Sequence, residues 1–135
     1  MASGEIDFLL QSFVEAVNLA DDFSIEMTLS VPGGVVSGEL VTAQRWMREV
    51  AATLETGTSS PSDLIADVYR EQAAMYEARR AQHKGYLEGK KPRFLHLRDA
   101  SWMIAPAPRG QGVFWRGLLG DVGGWSLGRF AAVAA

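Results

Sequence analysis

The chain has 135 residues, 47% apolar and 21% charged, the composition of a single globular domain with room for one core. Because it lacks cysteine, a disulfide framework, a thiolate metal site and a cysteine nucleophile are excluded. It has no apolar run of about 20 residues and no basic leader, so we expect a cytoplasmic protein without a membrane span.

The net charge of −3 is unevenly distributed along the chain. Residues 1–58 carry nine acidic and two basic side chains, whereas residues 93–135 carry two acidic side chains and five arginines. Either these opposite charges meet within one molecule, or the acidic part of one copy attracts the basic part of another. The excess of positive charge at the C-terminal end is small, which argues against nucleic acid as the main partner.

The first half of the chain passes from helical to strand periodicity and back. Apolar residues at helical spacing predict an amphipathic helix over residues 5–20. A period of two then predicts a strand over residues 23–31 with one buried face. A Pro-Gly-Gly turn at 32–34 leads into a second strand, residues 35–42, and helical spacing returns over residues 43–54.

A long helix is predicted in the second half of the chain. Ser60 is its cap, Pro61 takes the first helical position, and Asp63 closes a capping box. The helix extends to about residue 88, and its first half carries an apolar stripe: Leu64, Ile65, Val68, Tyr69, Met75 and Tyr76. Basic residues near its end form either a solvated face or a contact for an acidic partner: Arg79, Arg80, Lys84, Lys90 and Lys91.

The last third of the chain predicts three strands. Residues 93–104 form one strand, and the proline- and glycine-containing segment 105–112 is a loop. Residues 113–130 alternate apolar or aromatic residues with glycines around Gly123-Gly124, a pattern typical of a β-hairpin. Glycines within both arms indicate strands that bend sharply or allow another backbone close by.

This order of elements predicts an α+β fold in one domain, residues 1–135, with a helical insertion at about 43–89. We expect a small, strongly bent, five-stranded antiparallel sheet or barrel, preceded by a helix, that resembles the Sm-like fold. Gly38 would permit the bend in the second strand, and Trp115-Arg116-Gly117 would supply the apolar-Arg-Gly step of that fold. An open α+β sheet is the alternative, and fold alone says little about function.

The sequence offers no pattern typical of catalysis. His83 and His96 lie in different elements with no further metal ligand at the required spacing, so we predict no metal site. Ser37, Ser101 and Ser126 lack the strand–turn–helix setting of a nucleophile. The glycine-rich turns have no following helix and no phosphate-binding lysine. We therefore predict no catalytic residue and no cofactor.

Several segments resemble the gas vesicle accessory protein GvpU family over about residues 5–130. They are Phe-Leu-His-Leu at residues 94–97, Val-Phe-Trp-Arg-Gly at 113–117, Val-Gly-Gly-Trp-Ser-Leu-Gly at 122–128, and Gly-Val-Val-Ser-Gly-Glu-Leu at 34–40. The resemblance implies a non-enzymatic protein that acts beside the vesicle shell and influences how vesicles assemble, cluster or disperse.

The leading hypothesis is accordingly an adaptor that self-associates into a homo-oligomer and contacts the gas vesicle shell or other gas vesicle proteins. Tryptophan and arginine are enriched at interfaces, so the candidate contact residues are Trp115, Arg116, Trp125 and Arg129. Trp102, Trp115 and Trp125 are either core residues or interface anchors, and core is favoured for two of the three. An Sm-like RNA-binding module, a general protein-interaction module and a small enzyme are the alternatives.

Overall fold

The computed structural model describes residues 5–20, 22–82, 91–103 and 112–129. Within these ranges the chain forms three α-helices, five β-strands and one short 3-10 turn. In chain order they are α1 (Phe8–Asn18), β1 (Ile25–Val31), β2 (Gly34–Leu40), α2 (Ala43–Leu54), α3 (Pro61–Gln82), β3 (Phe94–Trp102), β4 (Val113–Leu118), the 3-10 turn (Leu119–Asp121) and β5 (Gly124–Leu127). The predicted order of elements is thus present, and residue 88, the predicted end of the long helix, lies outside the described ranges.

Side-chain caps explain where two helices begin. The Asp7 carboxylate accepts hydrogen bonds from the N–H groups of Leu9 and Leu10, so α1 begins at Phe8 and not at residue 5. Thr42 caps α2 in the same way, since its hydroxyl accepts from the Arg45 N–H at 3.0 Å.

The start of α3 is built around one carboxylate. Asp63 accepts hydrogen bonds from the N–H groups of Thr56, Gly57, Thr58 and Ser60 at distances of 2.6 to 3.3 Å. These bonds, led by that of Thr56, hold the pKa of Asp63 well below its usual range. The predicted pairing of Ser60 with Asp63 is therefore present, and the same carboxylate also orders the loop before the helix.

The five strands form one open antiparallel sheet in the order β4-β3-β2-β1-β5. β4 and β5 are its two edges, so the sheet is not closed, and the predicted Sm-like barrel is not confirmed. The open α+β sheet, stated above as the alternative, describes the fold.

The predicted closing hairpin is wrong. β4 pairs with β3 and β5 pairs with β1, which places the two arms at opposite edges of the sheet. The 3-10 turn between them carries the fully buried Leu119, whose N–H donates to the Arg93 carbonyl at 2.8 Å. The Gly123 N–H then donates to the Ser30 carbonyl, so the chain has already reached β1 where a hairpin would have turned back.

Helices cover both faces of the sheet. α1 packs on one face over a core cluster that also contains Met27, Leu29, Leu95 and Leu97. α2 and α3 form a smaller cluster on the other face: Val41, Trp46, Met47, Val50 and Ala73, with Tyr69, Tyr76 and Phe114 packed against it. Within the described ranges, no helix has the length and apolar character needed to cross a membrane.

A β-bulge distorts the centre of the sheet. Ser37 pairs with Ser101 and Glu39 with Arg98, so the single residue Gly38 faces two residues of β3. One of the two, Asp99, has a φ of 51°. A Cβ at Gly38 would lie 3.0 Å from the Arg98 carbonyl oxygen, which explains why glycine stands opposite the bulge.

Candidate interaction surfaces

The four predicted contact residues are divided between the two ends of the sheet. Trp115 and Arg116 lie on the edge strand β4, whereas Trp125 lies on the opposite edge strand, β5. Arg129 follows β5. The structure therefore does not bring these residues together in one patch, as the hairpin would have done.

Trp115 folds back onto its own strand. Its indole lies over Gly117, in the space that a Cβ at that position would occupy. The ring also meets Trp102 edge to face, with 6.5 Å between centroids, and packs against the core beneath α1. Trp115 and Trp102 thus contribute to the core, and the glycine of the Trp-Arg-Gly step makes room for the indole.

Arg116 is held on the sheet by two neighbours in β3. Its Nε donates to His96 Nε2 at 3.1 Å, and its guanidinium lies 3.7 Å from the ring centroid of Phe94. His96 is buried beside Trp46, and burial together with the Arg116 charge lowers the pKa of His96 to about 3. Because Nε2 accepts a hydrogen bond, we assign the proton of this neutral imidazole to Nδ1.

Trp125 joins β5 to the first helix. Its indole Nε1 donates to Asp7 Oδ2 at 3.0 Å, and its ring meets Phe13 edge to face at 5.4 Å. The hydrogen bond from Trp125 is the main reason why the pKa of the Asp7 carboxyl is lowered. The same carboxylate therefore caps α1 and fixes the helix against the edge of the sheet.

Arg129 and Arg98 form ion pairs with acidic partners within the molecule. Arg129 pairs with Asp99 at 3.2 Å, and its side chain is only 7% exposed. Arg98 bridges β3 to Glu39 at 3.1 Å and to Glu49 of α2 at 2.9 Å. The uneven charge distribution left two arrangements open, contact within one molecule or contact between copies. The Arg98 ion pairs are intramolecular, and they join the basic last part of the chain to its acidic first part.

An exposed apolar surface was missed by the sequence analysis, which treated the α3 stripe as one face. In the structure this stripe divides, because Tyr69 and Tyr76 turn inward toward α2 and the sheet. Four apolar side chains remain outside this contact with 47% to 66% exposure, and we call them the outer stripe of α3: Leu64, Ile65, Val68 and Met75. The signal was present in the sequence, since six large apolar residues on one helix exceed what a single contact face needs.

Among the described residues, the candidate metal ligands are dispersed and the candidate nucleophile Ser37 is buried. Across these ranges no three His, Cys, Asp or Glu side chains are grouped closely enough to hold a metal ion. Ser37 is fully buried, and its hydroxyl bonds to Thr28 at 3.1 Å and to the Met27 carbonyl at 3.3 Å. A shallow groove between α2 and α3 contains arginines 48 and 70, and both form ion pairs at its walls.

Comparison with known proteins gives one match. The family model for gas vesicle protein GvpU-like matches residues 7–130, nearly the whole chain. No curated protein and no solved structure matches the chain. The family resemblance predicted from the sequence is thereby confirmed, and the chain belongs to the GvpU-like family of gas vesicle proteins.

Proposed function

We propose that this protein is a non-enzymatic gas vesicle accessory protein of the cytoplasm. It self-associates and contacts the vesicle shell, or another gas vesicle protein, and so modulates how vesicles assemble or cluster. The observation that carries this proposal is the family match over residues 7–130, nearly the whole chain.

The outer stripe of α3 is the surface that best fits a contact with vesicles. Leu64, Ile65 and Val68 adjoin one another near the start of a helix of 22 residues, Met75 lies two turns further on, and each is 47% to 66% exposed. Exposed apolar side chains grouped in this way mark sites of protein interaction. Asp67 borders the stripe and Glu71 lies between Val68 and Met75, so the contact would include acidic groups as well as apolar ones.

Self-association is supported by the two open edges of the sheet. Trp115 and Arg116 belong to one edge and Trp125 to the other, so the contact residues proposed from the sequence could serve two separate contacts. Two contact sites on one molecule allow it to link vesicles, because each bound copy can hold a further copy. Arg129 would act indirectly, since its ion pair with Asp99 fixes the chain that follows β5.

The RNA-binding alternative loses support from the same contacts. Arg98 and Arg129 are paired with carboxylates, and the Arg116 guanidinium lies over the Phe94 ring. Arginines engaged in this way do not provide the basic stripe with free aromatic faces that single-stranded nucleic acid requires. A general protein-interaction module remains compatible with every contact described.

The test is a flotation assay with purified gas vesicles, which rise in a centrifugal field and carry bound protein with them. We expect the protein to float with the vesicles and to change their clustering in light scattering. The double variant Leu64→Lys/Val68→Lys should stay in solution, because it places two charges on the outer stripe of α3.

Leu19→Lys is the matched control, since Leu19 is an exposed leucine at the end of α1. It should float like the unchanged protein. If the unchanged protein neither floats nor alters clustering, the proposed function is wrong, and retention of a random RNA pool at physiological salt would then favour the RNA-binding alternative.

A further inference from the structure

The outer edge of β5 presents backbone hydrogen-bonding groups that no described strand uses. β5 is the last strand in the sheet order, and the Gly128 N–H donates to the Glu26 carbonyl of β1 at 2.7 Å. The Gly123 N–H also donates to Ser30, but Ser30 pairs with Gly124, so Gly123 is an extra residue before the regular pairing. Bonding direction alternates along the paired residues, so Ser126, like Gly128, faces β1. The N–H and C=O groups of Trp125 and Leu127 therefore point away from the sheet.

The side chains of β5 itself carry no charge, and the Asp7 carboxylate that accepts from the Trp125 indole lies beside them. Trp125 and Leu127 lie on the side of the sheet that α1 covers, and Leu127 is 56% exposed. Leu9, also exposed, lies one turn before Phe13, the residue that contacts Trp125. Residues 122–128 contain no charge. Natural sheet edges normally carry a charge or a proline that prevents pairing, and β5 has neither.

We propose that β5 pairs with β5 of a second copy about a two-fold axis at Ser126, forming one continuous sheet across the dimer. Trp125 then lies opposite Leu127 of the second copy, and Leu127 lies opposite Trp125 of the second copy. Both positions have outward-facing backbone groups, so each pair exchanges two hydrogen bonds. Directly opposite residues share a face, which aligns the α1 sides of the two copies. The proposal deepens the proposed function, because it assigns self-association to a surface.

The other possible edge pairings fit less well. On the other edge, the Leu119 N–H donates to the Arg93 carbonyl. Because bonding direction alternates along the strand, the backbone N–H and C=O groups of Arg116 and Leu118 in β4 point away from β3. Pairing of β4 with itself would bring two Arg116 side chains close together at the centre of the strand, and like charges there are destabilising. Phe114 lies on the face of the sheet that α2 and α3 cover, whereas Trp125 lies on the face that α1 covers. Pairing of β4 with β5 would therefore place α1 of one copy on the same side of the joined sheet as α2 and α3 of the next.

The contact is small, because β5 has only four residues. An interface of this size belongs to the weak and reversible class, with a dissociation constant of order micromolar or weaker. Weak contacts suit a protein that links vesicles through many copies, since avidity supplies the strength that one contact lacks.

The experiment combines sedimentation velocity with amide hydrogen exchange on the full chain. Sedimentation should show a monomer–dimer equilibrium, and exchange at the Trp125 and Leu127 amides should slow as concentration rises. The outward amides of Phe114, Arg116 and Leu118 should not change. Leu127→Lys places a charge against Trp125 of the second copy and should weaken dimerisation by at least about tenfold.

Val113→Lys is the matched control, because Val113 is 54% exposed on the opposite edge strand. It should leave the equilibrium unchanged. Leu127→Pro removes only an outward N–H, a substitution that edge strands tolerate, and it should also prevent dimerisation. If a variant fails to fold by circular dichroism, the exchange measurement on the unchanged protein decides alone.

The outcomes separate this inference from the proposed function. A dimer that persists in both Leu127 variants, with concentration-independent exchange in β5, would overturn the β5 pairing and leave self-association intact. A dimer lost in Val113→Lys and kept in Leu127→Lys would move the contact to β4. A monomer at every concentration would overturn the pairing and the self-association, whereas flotation with vesicles would still test the remaining part of the proposed function.

Discussion

Arg129 donates from its guanidinium to the Asp99 carboxylate at 3.2 Å, although β1 and β2 separate their strands in the sheet. Neighbouring strands lie about 4.8 Å apart, so a flat sheet would hold β5 and β3 about 14 Å from each other, farther than an arginine side chain reaches. The chain must therefore turn over the sheet at Gly128, whose φ is 96°, so that the Arg129 side chain extends back toward β3. The sheet itself remains open.

Replacement of Arg129 by alanine should destabilise the fold. Arg129 is 7% exposed and Asp99 13% exposed at the side chain, so the substitution would remove a charged hydrogen-bond donor from a nearly buried carboxylate. We expect the free energy of unfolding to fall by about 2–4 kcal/mol, as when one partner of a buried ion pair is removed. Urea unfolding followed by circular dichroism measures the change.

The control for this prediction is Arg70→Ala. Arg70 forms ion pairs with Glu55 and Asp67, but its side chain is 41% exposed. An exposed pair contributes at most about 1 kcal/mol. Equal losses in the two variants would show that the Arg129 pair has no special role in holding the chain after β5 over the sheet.

The Trp-Arg-Gly step supplies the second prediction. Because the Trp115 indole occupies the space beside Gly117, the substitution Gly117→Ala should displace the ring from Trp102 and cost about 1–3 kcal/mol through overpacking. Near-ultraviolet circular dichroism should report the lost contact between the two indoles. Gly124→Ala is the control, since a Cβ there meets nothing within 4 Å. An unaltered tryptophan signal in Gly117→Ala would contradict the proposed reason for this glycine.

Local periodicity was sufficient to predict most elements. The alternation over β1 and the helical spacing over α2 each reflect one buried face, and a buried face is visible in the sequence of the segment itself. Element ends were less accurate, because the cap at Asp7 depends on which of several polar residues the chain uses.

The errors arose where distant segments decide the structure. Gly123-Gly124 is compatible with a hairpin locally, but burial of Leu119 and pairing of β5 with β1 depend on residues far away in the sequence. The division of the α3 stripe was missed for a similar reason, since the sequence does not state which part of a broad apolar face packs against α2 and the sheet. The role of Trp115 could be anticipated only as core or interface, and its ring position depends on Gly117 and Trp102.

His96 should make stability depend on pH in mildly acidic solution. Its folded pKa of about 3 lies below the value near 6.5 of an exposed histidine, because burial and Arg116 disfavour the charged ring. Between these values the unfolded chain binds a proton that the folded chain does not. Stability from this residue is therefore fully present above pH 6.5 and is lost as pH falls toward 3. The loss between pH 7 and pH 5 should be about 2 kcal/mol.

The measurement is urea unfolding at pH 7, 6 and 5, on a His83→Gln background so that His96 is the only titrating histidine. His96→Gln keeps an acceptor for the Arg116 Nε and cannot titrate, so its stability should decrease much less over this range. The two proteins share every carboxylate, which removes acidic groups as the source of any difference. If the free energy of unfolding falls equally with pH in the two proteins, the buried, neutral state of His96 is contradicted. A histidine with the same pKa in the folded and unfolded protein contributes no pH dependence to that free energy.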